Sequence, residues 1–212
     1  MKDLTNRVAI VTGSSSGVGA ATARLLAAQG CHVVINYNSN ADGAEQVAAD
    51  CEAAGAETLV LQANVANDED CVAMAQAAHE KWGRVDALVN NAGTTKFVDH
   101  DKLEGLSAED FQCIYSVNVV GAYQMTRAVS PFMQGQEEGG AVVNVASTAG
   151  ITGIGSCVAY AASKGAMVTM TLSLARALGP KLRINAVCPG FIEGDWLKEG
   201  NGDDRYAKLM AF

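Results

Sequence analysis

The 212-residue sequence contains six cysteines, yet no two of them stand at the Cys-x-x-Cys spacing. Zinc sites and thioredoxin-like redox motifs depend on such close pairs, so neither is expected. A disulfide framework is equally unexpected in a chain of this length, and we expect mostly buried, reduced thiols. The three histidines have no ligand partners at a useful spacing. The sequence therefore predicts no metal site.

Long apolar runs and long runs of like charge are also missing. No apolar stretch is long enough to span a membrane, and the first apolar run follows Met1 too closely for a signal peptide. The formal net charge of -8 and the pI near 4.8 oppose binding to a nucleic-acid backbone. We therefore expect a cytoplasmic protein that binds neither membranes nor nucleic acids.

Short β-branched runs alternate with long alanine-rich helical patterns along the whole chain. This alternation predicts an α/β fold, a single-domain Rossmann fold over residues 1–212 with a doubly wound parallel sheet and helices on both faces. The strands are nearly continuous in apolar residues, as expected of strands covered on both faces. They are predicted at residues 8–11, 32–36, 58–62, 85–89, 141–145 and 183–187.

Two helices carry clear start signals. Asn67 precedes three acidic residues, which favour the positive end of a helix dipole. Ser107 and Asp110 have the spacing of a capping box, and they open a helical segment predicted to end near Met133. Pro131 is expected to mark that end.

A glycine-rich turn follows the first predicted strand and opens a helix, in the sequence Thr-Gly-Ser-Ser-Ser-Gly-Val-Gly. Glycines permit a tight turn and close backbone approach, and the helix N-terminus offers free N–H groups to a phosphate. A plain turn is the alternative, but the position after the first strand of a βα chain favours pyrophosphate binding. The candidate cofactor-binding residues are Gly13, Ser15, Ser16, Gly17, Val18 and Gly19.

The end of the second strand usually distinguishes the two nicotinamide dinucleotides. An acid there holds the ribose 2′-hydroxyl, whereas basic residues accommodate a 2′-phosphate. Here the sequence Asn-Tyr-Asn-Ser has neither. Because no carboxylate repels a phosphate, and Asn38 and Ser39 could donate to one, NADP(H) is favoured over NAD(H).

Tyr160 and Lys164 stand four residues apart, and Ser147 precedes Tyr160 by thirteen residues. Residues four apart share one face of a helix, so the ammonium can lie near the phenol and lower its pKa. Such a tyrosine can give a proton to a carbonyl oxygen or take one from an alcohol. The serine hydroxyl can hold the same substrate oxygen.

These motifs, with Asn-Asn-Ala-Gly at residues 90–93, Asn118 and Pro189-Gly190, resemble the classical short-chain dehydrogenases/reductases, most closely the 3-oxoacyl carrier-protein reductase and glucose dehydrogenase branches. The resemblance implies NAD(P)(H)-dependent hydride transfer between the nicotinamide and a secondary alcohol or ketone. Tyr160 would be the general acid or base, and Lys164 would lower its pKa and bind the nicotinamide ribose. Ser147 would orient the substrate oxygen, and Asn118 would hold a water of a proton relay.

The resemblance also implies further cofactor-binding residues and an assembly. Helices around Asn118 and Tyr160 pack between subunits in such proteins, so a homo-oligomer, usually a tetramer, is expected. The cofactor-binding residues that it adds are Asn64, Val65, Asn91, Ala92, Gly93, Tyr160, Lys164, Pro189, Gly190 and Ile192.

The sequence departs from the family pattern at four places. Asn64 stands where an aspartate is usual, and Gly194 stands where a threonine is usual. Ser16 stands where NADP-preferring members often have a basic residue, which counts against NADP(H). Family members continue through a substrate lid and a seventh strand, so we expect the chain, which ends at Phe212, to lack part of both. A catalytically inactive dinucleotide-binding scaffold or a truncated product is therefore the alternative function, whereas a sugar-nucleotide epimerase fits poorly because of its glycine spacing. The substrate loops are predicted at residues 94–106, 150–158 and 191–212.

Overall fold

Six parallel strands form one sheet in the order β3-β2-β1-β4-β5-β6, in a computed structural model that describes residues 4–192. The order reverses between β1 and β4, which places a crevice at the carboxyl ends of these two strands. The prediction of a doubly wound parallel sheet is confirmed. The strands are β1 (Val8–Val11), β2 (His32–Tyr37), β3 (Thr58–Gln62), β4 (Ala87–Asn90), β5 (Gly140–Val145) and β6 (Leu182–Val187).

Helices connect the strands and cover both faces of the sheet, as predicted. A short 3₁₀ turn (Leu103–Gly105) precedes α4, and a π-helical turn (Ser116–Gly121) joins α4 to α5. The α-helices are α1 (Gly17–Ala27), α2 (Ala41–Ala53), α3 (Asp68–Trp82), α4 (Ala108–Tyr115), α5 (Ala122–Gly135), α6 (Ala149–Thr152) and α7 (Val158–Leu178).

Two apolar cores lie on opposite faces of the sheet, because alternate side chains of a strand point to opposite sides. Ile10 and Val34 face the core formed with α3 and α5, where the buried side chains include Met74 and Met125. Val11, Val33 and Ile35 face the core formed with α1 and α2. Burial on both sides explains why the strands read as continuous apolar runs.

The predicted helix starts are confirmed. The Asn67 side chain accepts a hydrogen bond from the Glu69 N–H, and Ser107 and Asp110 form a reciprocal capping box. The prediction that Pro131 marks a helix end is wrong, because α5 continues to Gly135. Val129 and Met133 flank the proline and are fully buried, so their packing outweighs the hydrogen bond that proline cannot make.

The predicted long helix from Ser107 is also divided. The π-helical turn between α4 and α5 adds a residue to the helical repeat and carries Asn118, which is fully buried. Sequence periodicity does not report an inserted residue of this kind. The division therefore appears only in the structure.

Within residues 4–192, no helix is both long enough and apolar enough to cross a membrane. In the same part of the chain, no three His, Cys, Asp or Glu side chains lie close enough to hold a metal ion. All six cysteines are free thiols, and Cys31, Cys51, Cys71 and Cys157 are buried.

Replacement of Gly139 by alanine should destabilise the fold by about 2–4 kcal/mol, because this residue has a φ of 68° and a Cβ there would overlap the Lys181 carbonyl oxygen. Gly135, at the end of α5, has no atom within 4 Å of the corresponding Cβ position. Gly135→Ala is therefore the matched control and should be neutral or stabilising. Urea denaturation measures both, and equal midpoints for the two variants would contradict the prediction.

Candidate active site

The predicted site residues gather at the carboxyl edge of the sheet, on the loops that leave β1, β4, β5 and β6 and on the adjoining helices. Parallel strands bring these loops to one edge, although they are far apart in the sequence. Four sets of contacts define the region: those of the glycine-rich turn, those of residues 90–93, those of Asn118, and those of Ser147, Tyr160 and Lys164.

The glycine-rich turn leads from β1 into α1 and is tightly packed at its base. A Cβ on Gly19 would overlap the Gly13 carbonyl oxygen and come within 2.5 Å of the Asn91 side-chain nitrogen. The Ser16 side chain makes no capping hydrogen bond, so the first-turn N–H groups of α1 stay available for an anion. The turn can therefore receive a phosphate at the start of α1.

Residues 90–93 are bound to the glycine-rich turn through Thr12. Its hydroxyl accepts hydrogen bonds from the N–H groups of Asn91 and Ala92, each at 3.0 Å, and donates to the Val89 carbonyl. The Asn91 side chain donates to the carbonyls of Thr12 and Gly13, at 2.9 and 3.0 Å. The loops after β1 and β4 lie on either side of the crevice, and these hydrogen bonds hold them rigidly to each other.

The Asn118 side chain is held entirely by protein atoms. Its oxygen accepts from the Thr94 N–H at 2.8 Å, and its nitrogen donates to the Thr94 carbonyl and to the Ser163 hydroxyl, both at 3.0 Å. A Cβ on Gly93 would lie 3.4 Å from the Asn118 oxygen and 3.7 Å from Lys164 Nζ. Asn118, Gly93 and Lys164 therefore meet at one point.

Ser147, Tyr160 and Lys164 come together as the sequence predicts. Tyr160 and Lys164 lie one turn apart on α7, with Lys164 Nζ 5.7 Å from the centre of the Tyr160 ring. Ser147, on the loop after β5, makes a side-chain hydrogen bond with Tyr160. Lys164 is 4% exposed, and its Nζ donates to the Val145 carbonyl at 2.7 Å.

The expected lowering of the Tyr160 pKa is wrong for this geometry. Burial raises the pKa of Tyr160 above 10, and the hydrogen bond from Ser147 lowers it by less than burial raises it. The pKa of Lys164 is lowered to about 8, chiefly because burial disfavours its charged form. The lysine therefore remains mainly charged at pH 7 and loses its charge as the pH rises through about 8, above which it stabilises a phenolate less than an ammonium would.

The remaining predicted residues lie around the same crevice. Asn38 and Ser39 are exposed just beyond β2, and the exposed Asn64 accepts a hydrogen bond from the Ala66 N–H at 3.0 Å. Val65 is buried against Gly121. Ser15 and Val18 are partly buried in the turn, and Gly190 and Ile192 are exposed after β6.

The turn after β6 contacts the loop that carries Ser147, because the Thr148 N–H donates to the Pro189 carbonyl at 2.9 Å. Gly194 and most of the predicted lid lie outside the described residues.

Two buried polar residues contact this region and were not assigned to it from the sequence. Ser163 accepts from Asn118 and donates to the Tyr160 carbonyl at 2.7 Å, and the Asn36 side chain accepts from the Gly13 N–H at 2.9 Å. A sequence signal existed for Asn36, since an asparagine within an apolar strand needs buried hydrogen-bond partners.

Comparison with known proteins identifies the family. The profile of the short chain dehydrogenases matches residues 7–205. The 3-oxoacyl-(acyl-carrier-protein) reductase of Synechocystis sp. is 38% identical over 204 residues, which cover 96% of this chain and 81% of that protein. The chain belongs to the short chain dehydrogenase family.

Solved structures agree with this membership. A protein of Burkholderia xenovorans assigned to the short-chain dehydrogenases/reductases superposes with a TM-score of 0.87 at 44% identity, covering 90% of this chain and 79% of that one. NAD⁺-bound xylitol dehydrogenase superposes with a TM-score of 0.86 at 30% identity, covering 93% and 75%. This short chain dehydrogenase is an NAD(P)-dependent oxidoreductase, the first of the two functions that the sequence predicted.

The folding stability of this dehydrogenase should depend on the titration of Lys164. Between pH 8 and 10.5, the unfolded chain holds a proton that the folded chain has released, because the pKa falls from 10.5 to about 8 on folding. The free energy of unfolding should therefore rise over this window, by about 2–3 kcal/mol relative to a Lys164→Met variant.

Urea denaturation at pH 7 and pH 9.5 measures this difference. Lys181 is exposed, so Lys181→Met is the control and should show the pH dependence of the unmodified chain. If Lys164→Met also followed that pH dependence, the lowered pKa of Lys164 would be contradicted.

Proposed function

We propose that this dehydrogenase transfers a hydride between a nicotinamide dinucleotide and a secondary alcohol or ketone, with Tyr160 as the general acid or base. The observation that carries the proposal is the hydrogen bond between the Tyr160 and Ser147 side chains. The buried Lys164 lies one helical turn from Tyr160. We further propose that one Rossmann domain carries both the cofactor site and these catalytic residues.

The protonation state of Tyr160 fits proton donation. Because burial raises its pKa, the phenol keeps its proton at neutral pH and can give it to a carbonyl oxygen as negative charge develops there. The Ser147 hydroxyl is already directed at Tyr160 and would hold the same oxygen in reach. When bound, the nicotinamide supplies or accepts the hydride.

Lys164 and Asn118 support this chemistry from the interior. Lys164 Nζ is fixed by the Val145 carbonyl and retains further donors, which would bind the nicotinamide ribose hydroxyls. The Asn118 side chain has protein partners at both ends, so its amide fixes the loop after β4 against α7. The relay water that we propose at Asn118 would therefore bind elsewhere on this residue than on its amide.

The chain's own residues fit a dinucleotide along the crevice. The open first turn of α1 would hold the pyrophosphate, and the exposed Asn38 and Ser39 would contact a ribose 2′-phosphate. NADP(H) is favoured over NAD(H) because no acid ends β2. The proposed cofactor-binding residues are those named from the sequence: Gly13, Ser15, Ser16, Gly17, Val18, Gly19, Asn38, Ser39, Asn64, Val65, Asn91, Ala92, Gly93, Tyr160, Lys164, Pro189, Gly190 and Ile192.

A 3-oxoacyl or other small carbonyl compound is the proposed substrate. The Synechocystis relative is named for a 3-oxoacyl substrate. Leu103, Ile151 and Ile154 on the predicted substrate loops are 77%, 68% and 79% exposed, which gives these loops an apolar surface suited to an acyl chain. A homotetramer is also proposed, since Val120, Tyr123 and Leu172 are exposed on the helices expected at subunit contacts.

Tyr160→Phe should lower kcat by roughly 10²–10⁴-fold and leave the NADPH dissociation constant nearly unchanged, because the variant removes the transferable proton and keeps the ring. Carbonyl-dependent NADPH oxidation followed by absorbance measures kcat, and nicotinamide fluorescence measures binding.

Tyr123→Phe is the matched control, because it removes a hydroxyl from a tyrosine that is 45% exposed on α5 and keeps the ring for the proposed subunit contact. It should retain the kcat of the unmodified chain. A Tyr160→Phe variant with comparable turnover would show that the proton comes from another group.

Asn38→Asp should weaken NADPH binding by about 10-fold or more and shift preference toward NADH, because a carboxylate would repel the 2′-phosphate and accept from the 2′-hydroxyl. Asn6→Asp is the control. It adds the same charge just before β1, at the edge of the sheet away from the proposed cofactor site, and should leave the NADPH-to-NADH preference unchanged. Titration of each variant with both dinucleotides gives the ratio. An unchanged ratio in Asn38→Asp would place the selective contact elsewhere.

A further inference from the structure

Asn36 is the last residue but one of β2, and it is 2% exposed. Its side chain contacts two separate segments of the chain and the adjoining residue of its own strand. The oxygen accepts from the Gly13 N–H at 2.9 Å, and the nitrogen lies 3.0 Å from the Ala63 carbonyl, 3.3 Å from the Tyr37 carbonyl and 3.4 Å from the Leu61 carbonyl. One buried amide thus joins the glycine-rich turn after β1 to the chain leaving β3.

The surroundings determine which end of the amide faces which neighbour. The Gly13 N–H can only donate, and the three carbonyls can only accept. An aspartate would place a carboxylate oxygen against those carbonyls in a buried position, and an apolar residue would leave the Gly13 N–H without its partner. Only a side chain that both accepts and donates satisfies this position.

The backbone of Asn36 reinforces the same connection. Its N–H donates to the Ser14 hydroxyl and its carbonyl accepts from the Ser14 N–H, both at 2.9 Å. The Ser14 hydroxyl in turn donates to the Val11 carbonyl at 2.7 Å. Ser14 is fully buried, so these bonds are shielded from water.

The Gly13 peptide is consequently held from two sides. Asn36 binds its N–H, and the Asn91 side chain binds its carbonyl at 3.0 Å. Gly13 has a φ of 61°, which an L-residue rarely adopts, and a Cβ there would lie 2.9 Å from the Ala92 Cα. The left-handed turn that aims the start of α1 therefore depends on these two asparagines.

We propose that Asn36 is a positioning residue for dinucleotide binding, which fixes the phosphate-binding turn at Gly13 relative to residues 63–65, where the proposed cofactor-binding residues Asn64 and Val65 lie. This inference rests on the dinucleotide site proposed above. Asn36 does not touch the reacting groups. Its loss therefore loosens the site for the adenosine and phosphate part of the cofactor without changing the chemical step.

Asn36→Ala should raise the NADPH dissociation constant by about 10-fold, as expected for the loss of one or two hydrogen bonds. The dissociation constant of ADP should rise by a similar factor, while kcat at saturating NADPH stays within about 3-fold. Amide hydrogen exchange without nucleotide should show faster exchange at Gly13, by about 10-fold or more. If the alanine variant folds poorly, Asn36→Ser takes its place. Serine keeps a hydroxyl on a shorter side chain, so this variant should change the same quantities in the same direction by a smaller factor.

Asn144→Ala is the matched control. Asn144 is fully buried in β5 and makes two side-chain hydrogen bonds, to Asn90 and Thr171, both at 2.8 Å. The Asn144→Ala variant should lower the melting temperature about as much as Asn36→Ala does. Its Gly13 amide exchange rate and its NADPH dissociation constant should stay within about 2-fold of those of the unmodified chain.

Equal effects of Asn36→Ala and Asn144→Ala on NADPH affinity would overturn the positioning role, and so would unchanged Gly13 exchange in Asn36→Ala. If the unmodified chain bound neither NADPH nor NADH, the proposed dinucleotide site would fail, and the positioning role would fail with it. If the unmodified chain bound NADPH and Asn36→Ala bound it equally well, the site would stand and only the role of Asn36 would be wrong.

Discussion

The Thr12 hydroxyl occupies the point where the strand order of the sheet reverses, and the cleft depends on it. It is 1% exposed, accepts the N–H groups of Asn91 and Ala92, and donates to the Val89 carbonyl. At this point β1 and β4 diverge into loops, and the Val89 carbonyl also accepts from the N–H groups of Thr12 and Asn91, both at 3.0 Å. The hydroxyl adds a partner for the Ala92 N–H and second partners for the Asn91 N–H and the Val89 carbonyl, so the two loops separate into a crevice with these polar groups paired.

Neutral amides extend this arrangement around the cleft. Asn36 and Asn91 hold the two ends of the Gly13 peptide, and Asn118 joins the loop after β4 to α7 through Thr94 and Ser163. An amide accepts and donates without the desolvation cost of a buried charge. The cleft walls are therefore rigid and carry little charge of their own, which leaves the anionic dinucleotide free of nearby carboxylates at the end of β2.

The sequence predicts those parts of this protein that follow from local pattern. Apolar runs located the strands because both faces are buried, and Ser107 and Asn67 located helix starts because their side chains bond to neighbouring N–H groups. Tertiary packing decided what the pattern could not show. Burial of Val129 and Met133 carries α5 past Pro131, and the π-helical turn delivers Asn118 to the site. The Tyr160 pKa was mispredicted because helical spacing reports proximity to Lys164 but not the desolvation of both groups.

That shared desolvation determines how the pair can act. Burial raises the pKa of Tyr160 and lowers that of Lys164 to about 8, so at neutral pH the tyrosine is a neutral phenol and the lysine is still mainly an ammonium. A protonated phenol is a competent proton donor, and the neighbouring ammonium stabilises negative charge as it develops on the tyrosine oxygen. As the pH falls below 8, the growing ammonium population would stabilise a phenolate more strongly, whereas above 8 this support weakens. A neutral phenol beside an ammonium is therefore the state that would give a proton to a carbonyl oxygen in the proposed reaction.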